Sequence, residues 1–277
     1  MDWQFTPYIL ILVVAAAITA GLALLAWPRR SAPGARPFIA LTLALTGWSL
    51  AYAVQLASAE LGLKLFLSRL RFMGVVVVPT AWLVFGLEYT GRARWLTRRN
   101  LALLMVMPLA TALLIWTNDL HHLFWVEIEL QAFGSLQLWR SNDGIAFWVH
   151  ATYSYVLMLS GTFLLLQAMA RSPRLYKGQA GVLVVSALLP LLGNVLTVFD
   201  LISLPLDLTP FLFSIAGLGI SWALFRFRLL DLVPVARSAV VDGLGDGVMV
   251  LDAQNRIVDL KPAAQRIIGP SAGEAIG

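Results

Sequence analysis

Cysteine is absent from these 277 residues, and histidine occurs only three times. Without thiols there are no disulfides, no thiolate metal sites and no cysteine nucleophile. Charge is also scarce, at 13% of residues, where a soluble domain carries about 25%. An ordinary water-soluble enzyme is therefore disfavoured. No repeat or low-complexity run is present, so a disordered chain does not fit either. What remains is apolar: 59% of residues are hydrophobic and the mean hydropathy is +0.80. The net charge of +5 would suggest an anionic partner for a soluble protein. Here the placement of the charges points to membrane lipid instead, and nothing points to nucleic acid.

A helix rises about 1.5 Å per residue, so crossing a hydrocarbon core of about 30 Å takes roughly 20 apolar residues. Seven stretches qualify: 8–27, 38–57, 72–89, 101–116, 145–170, 178–199 and 208–227. The start Met1-Asp2-Trp3 lacks the basic region of a signal peptide, so the first span is expected to stay in the mature protein. Lys and Arg then give an orientation. Arg29, Arg30, Arg36, Arg92, Arg94, Arg98, Arg99, Arg171, Arg174, Lys177, Arg226, Arg228 and Arg237 follow the odd-numbered spans. Only Lys64, Arg69, Arg71 and Arg140 fall on the other side. A bacterial inner-membrane protein with its N-terminus outside and its C-terminus in the cytoplasm is expected.

One predicted outer loop is long, about 117–144. In it Val126, Ile128 and Leu130 alternate with Glu127, Glu129 and Gln131, which is the period of a half-buried strand. A turn at Phe133-Gly134-Ser135 and a second alternation through Leu136 and Leu138 make a hairpin. A lone hairpin is marginally stable, so it should lie on the helices as a lid. His121, His122 and His150 all lie in this loop or at the top of the fifth span. A zinc or copper site is one reading. Adjacent histidines seldom face one metal, however, and no histidine pair is spaced i, i+4 on a helix. Caps and lip residues are preferred to metal ligands. A second reading puts His150 with Trp125, Trp148, Tyr153 and Tyr155 in the wall of a ligand pocket, since aromatic walls with a few polar groups suit small molecules.

Polar residues inside the spans are few. Glu88 is expected to pair with an arginine at the inner interface. Asn194, four residues after Pro190, is expected to hydrogen-bond between helices. No run of buried acids suggests a proton relay, which disfavours a transporter or a membrane-embedded enzyme. After residue 230 the composition changes. A linker helix is expected within 231–245, with Pro234 as a joint, followed over 246–277 by two short strands and a helix opened by Pro262. About 45 residues cannot bury a core of their own, so this tail reads as the start of an incomplete domain.

Several stretches together resemble the N-terminal seven-helix sensor region of bacterial histidine kinases. They are LEYTGRARWL (87–96), TNDLHHLFW (117–125), FWVHATYSY (147–155), LPLLGN (189–194) and DLTP (207–210), followed by WALFRFRLLDLVPVAR (222–237). DGVMVLDAQNRIVDLKPAAQRIIG (246–269) is similar to the start of a PAS domain, although Lys261 stands where that family commonly has asparagine. The resemblance implies an all-α membrane protein of seven transmembrane helices, with a small extracellular hairpin and a truncated α+β PAS-like tail. It also implies a receptor for a small-molecule signal of unspecified identity. Span seven would relay that signal to PAS and output domains. The full-length parent would be a homodimeric histidine kinase, a protein phosphotransferase acting on a response regulator, or else a protein similar to a diguanylate cyclase. No catalytic residue and no cofactor motif stand in this chain, and the cofactor of a complete PAS domain is left unspecified.

Overall fold

The computed structural model describes residues 3–134, 136–171, 174–199, 201, 206–227, 249–251, 257–260 and 264. Helix dominates because long apolar runs satisfy their own backbone groups only when coiled. The helices are α1 (Pro7–Ala26), α2 (Ala35–Ala57), α3 (Leu61–Val75), α4 (Val77–Tyr89), α5 (Arg98–Trp116), the single turn α6 (Asn118–His121), α7 (Ile145–Arg171), α8 (Arg174–Val198) and α9 (Thr209–Phe227). Among the described residues six helical stretches are long and apolar enough to cross a membrane, with α3 and α4 counted as one. The seventh expected span falls on α9, and among the described residues its apolar stretch is Thr209–Gly219.

The third span differs from expectation. It begins at Leu61 rather than near residue 72, and so carries Lys64, Arg69 and Arg71 within a helix instead of a loop. The break at Val76 between α3 and α4 has a covalent cause. Pro79 has no N–H to give to the preceding turn, and its ring crowds the carbonyl four residues back, which kinks a helix.

The packing closes a ring: α1 meets α2, α2 meets α4, α4 meets α7, α7 meets α8, α8 meets α9, and α9 returns to α1. Close approach depends on small residues, as in helix packing within lipid. A Cβ on Gly74 would stand 2.5 Å from the Ala44 carbonyl oxygen. Helix α5 lies outside the ring, against α7, α3 and α4, and only 17% of its apolar window is buried, against 61% for α2. Pro108 interrupts α5 and frees the carbonyl of Leu104, four residues back. The Tyr153 hydroxyl of α7 donates to that oxygen at 2.6 Å, repairing the gap and fastening α5 to the ring.

Between α6 and α7 stands the expected hairpin, β1 (Trp125–Phe133) paired antiparallel with β2 (Leu136–Asp143). Its turn includes Gly134 at φ +60°. Ile128 and Leu130 are half-buried, as the alternation requires, but Val126 is exposed. A register shift between Trp125 and Glu127 is the reason, because one extra residue reverses the facing of its neighbours. The hairpin is pinned at two places. At its base the buried Asn118 side chain accepts the N–H groups of Phe124 and Trp125 at 3.0 and 3.1 Å and donates to the Trp125 carbonyl at 3.0 Å. Along β2 the Gln4 amide donates to the Gln137 carbonyl at 3.0 Å and accepts its N–H at 2.9 Å, standing in for a third strand.

The chain divides into two units, Met1–Leu232 and Val233–Gly277. In the second, β3 (Met249–Leu251) pairs antiparallel with β4 (Ile257–Leu260), and Ala264 is helical. The expected linker helix, Pro234 and most of the tail lie outside the described residues.

Candidate functional site

Beneath the hairpin a cavity of about 600 Å³ opens between β1, β2 and the ends of α2, α3, α7 and α8. That is within the range of small-molecule sites, about 300–1,000 Å³. Trp125, Trp148, His150 and Tyr155, all anticipated from the sequence, line it. Helix α7 supplies the last three, of which Trp148 and Tyr155, seven residues apart, share one face. Tyr153 is a correction. It was expected in the pocket but is turned towards α5, where the carbonyl freed by Pro108 takes its hydroxyl.

Polar side chains that the sequence reading did not assign to a pocket also stand in the wall. Lys64, Ser68 and Arg71 recur at i, i+4 and i+7 on α3, which places them on one face. Lys64 and Arg71 reach the cavity, and Ser68 stands behind, accepting from the Gln55 amide at 2.7 Å. The Arg71 guanidinium lies 5.0 Å over the Tyr52 ring and 5.4 Å over the Phe72 ring, and 3.6 Å from the Asp207 carboxylate. The Tyr52 hydroxyl accepts the Asp207 N–H at 2.9 Å. Asp143, at the end of β2, shares this wall, and burial pushes its carboxyl up to about 6 against the opposing pull of Arg71. Missing these residues had a cause. Lys64 and Arg71 were counted as loop charges that set orientation, whereas their helical spacing was the signal of an inward stripe.

The other candidates separate. His150 is buried, with Nδ1 3.3 Å from the Thr111 hydroxyl and Nε2 3.3 Å from the Ser154 hydroxyl. His121 caps its own turn: Nδ1 accepts the Leu123 N–H at 3.0 Å, and Nε2 stands 3.1 Å from the Thr117 hydroxyl. His122 takes the left-handed position at the end of α6, φ +51°. Among the described residues no three His, Asp or Glu side chains stand together as a metal site. Asn194 does bridge helices. It accepts from the Tyr155 hydroxyl at 2.8 Å and donates to the Thr209 hydroxyl at 3.3 Å, joining α7, α8 and α9.

Glu88 is a second correction, since it does not pair with an arginine among the described residues. Its carboxylate accepts the Gly34 N–H at 2.7 Å, at the start of α2. Free N–H groups and the positive end of the helix dipole make that position favourable for an acid. Nearby, Arg92 hydrogen-bonds the Gln167 side chain, tying the segment after α4 to α7.

The chemistry of the cavity is that of binding: aromatic walls, forked and single-point N–H donors, and two carboxylates. Four of the five segments that carried the resemblance, 117–125, 147–155, 189–194 and 207–210, contribute residues that line it or brace its wall. No curated protein matches this chain. The family described as the N-terminal 7TM region of histidine kinase does match, over residues 11–234, and the chain belongs to that family, as a membrane sensor module of a histidine kinase.

Proposed function

We propose that the cavity beneath the hairpin receives an extracellular signal and passes it to α9, which carries it across the membrane. One observation carries the reading: a wall residue of the cavity also caps the start of that helix. Asp207 meets Arg71 on the cavity side, while its carboxylate accepts the Thr209 N–H at 3.0 Å, capping the first turn of α9. A ligand that displaces Arg71 would alter the cap and the pose of the helix together. Couplings of about 1–3 kcal/mol between such sites change an output about 5–150-fold.

In this reading seven spans cross the bacterial inner membrane, with the hairpin outside and the tail in the cytoplasm. The charge bias supports it: with Lys64, Arg69 and Arg71 placed in a helix, Arg140 alone remains as an outer-loop base among the residues counted. The paired β3 and β4 suit the opening hairpin of a PAS domain. A homodimeric kinase and a response regulator would complete the pathway.

Because the chain has no cysteine, spin labels can be placed singly. In full-length receptor, a labelled pair at Leu120 and Leu218 should change separation when Arg71→Met or Asp207→Asn is introduced, and kinase output should shift at least fivefold. Unchanged distance and output in both variants would reject the relay. Alkaline phosphatase fused after Trp139 should be active and after Trp95 inactive, and the reverse would reject the orientation.

A further inference from the structure

The cavity wall holds more buried hydrogen-bond donors than its own described residues satisfy. Lys64 has no exposed surface, and its ammonium makes one hydrogen bond, to the Gln55 carbonyl at 2.7 Å. An ammonium has three N–H donors, so two find no acceptor among the described residues. It has no carboxylate within ion-pair distance there either. Arg71 makes no hydrogen bond with any described residue. Its 3.6 Å contact to Asp207 is longer than one, and its Nε is buried without a partner. Of the two acids in this wall, Asp143 and Asp207, the Asp207 carboxylate is already engaged by the Thr209 N–H at the first turn of α9.

A buried cation without a counter-ion is expensive, and so is a buried N–H without an acceptor. Both are relieved by a group that is anionic and accepts hydrogen bonds only. A carboxylate is such a group, with two oxygens and about four lone-pair sites. The rest of the cavity suits the body of such a molecule, because Trp125, Trp139, Trp148 and Tyr155 supply flat apolar walls. We infer that the cavity binds a small organic acid, with its carboxylate between Lys64 and Arg71 and an apolar, planar or short-chain body against the tryptophans. This rests on the proposed function for its consequence in signalling, but not for the binding itself.

The test uses the full chain in phosphatidylcholine nanodiscs, which supply no anionic headgroup. Calorimetric titration compares benzoate with benzamide, cinnamate with cinnamamide and hexanoate with hexanamide, plus benzylamine as a cation. At least one acid should bind saturably, with its amide and benzylamine at least tenfold weaker. Lys64→Met should weaken that acid at least tenfold and leave the amide unchanged, Lys64→Arg should retain most of the affinity, and Tyr153→Phe, outside the cavity, should change nothing. If Lys64→Met fails to fold, Arg71→Gln takes its place with the same expectation. Acid and amide binding equally, benzylamine binding best, no acid binding at all, or an affinity indifferent to both substitutions would each overturn the inference. An acid that binds while cavity variants leave receptor output unchanged would sink the proposed function and spare this inference. Altered output with no acid bound would do the reverse.

Discussion

The two ends of the helical ring handle polar groups in opposite ways. At the end away from the hairpin they close on one another. Glu88 meets the Gly34 N–H, the Thr90 hydroxyl donates to the Gly86 carbonyl at 2.8 Å, Arg92 takes Gln167, and the Asn100 amide donates to the Trp95 carbonyl at 2.7 Å. At the hairpin end Asn118 and Gln4 are as fully engaged, but they frame a space lined by Lys64 and Arg71, whose donors exceed their acceptors. A satisfied polar network rigidifies, whereas an unsatisfied one is held ready for a partner at a cost in stability. The comparison separates scaffold from receiver within one continuous bundle.

Three substitutions test that contrast. Asn118→Leu should have the largest effect, because it strips acceptors from two N–H groups at the base of the hairpin, and Phe124 and Trp125 are fully buried. Each orphaned group costs about 1–3 kcal/mol, so a loss of roughly 3 kcal/mol is expected in thermal unfolding of the purified chain. A loss under about 1 kcal/mol would mean that the clamp is not what holds the hairpin. Gly34→Ala probes the opposite end. Gly34 sits at φ +81°, and a Cβ would meet the Phe85 ring at 3.3 Å, so about 1–3 kcal/mol should be lost there with anion binding intact. If it changed binding at the hairpin end, the two ends would not be independent.

The third and smallest effect is a pH dependence. The Asp143 carboxyl ordinarily titrates near 3.8 and is raised to about 6, so the folded chain holds this proton more tightly than the unfolded chain. A raised acid destabilises where it is ionised. The penalty is absent below pH 3.8, grows as pH rises towards 6 and is complete above that. Through this group, then, stability should be flat above pH about 6 and rise as pH falls from there towards 3.8. Asp143→Asn should raise Tm at pH 7.5 and flatten the profile. A steeper profile in the variant would show that Asp143 is stabilised as an anion by Arg71.

Much of this was legible in the chain itself. Apolar runs of about 20 residues determine helices, because no other backbone form satisfies itself in lipid. The alternation through Ile128 and Leu130 determined the hairpin, and the order of five short segments indicated the sensor family. Trp148, His150 and Tyr155 of the cavity wall on α7 were visible as residue types, aromatic and imidazole groups gathered at one end of a span. Only the tertiary structure decided what depends on distant residues meeting. It turned Tyr153 away from the cavity towards a carbonyl freed by a proline on α5, and gave Glu88 a backbone N–H in place of an arginine. It also moved Lys64 and Arg71 from the loops of a topology census to the wall of a cavity. A charge is the same letter at a membrane surface and in a buried stripe. Which one it is depends on what packs against the helix that carries it, and a linear sequence does not contain that neighbour.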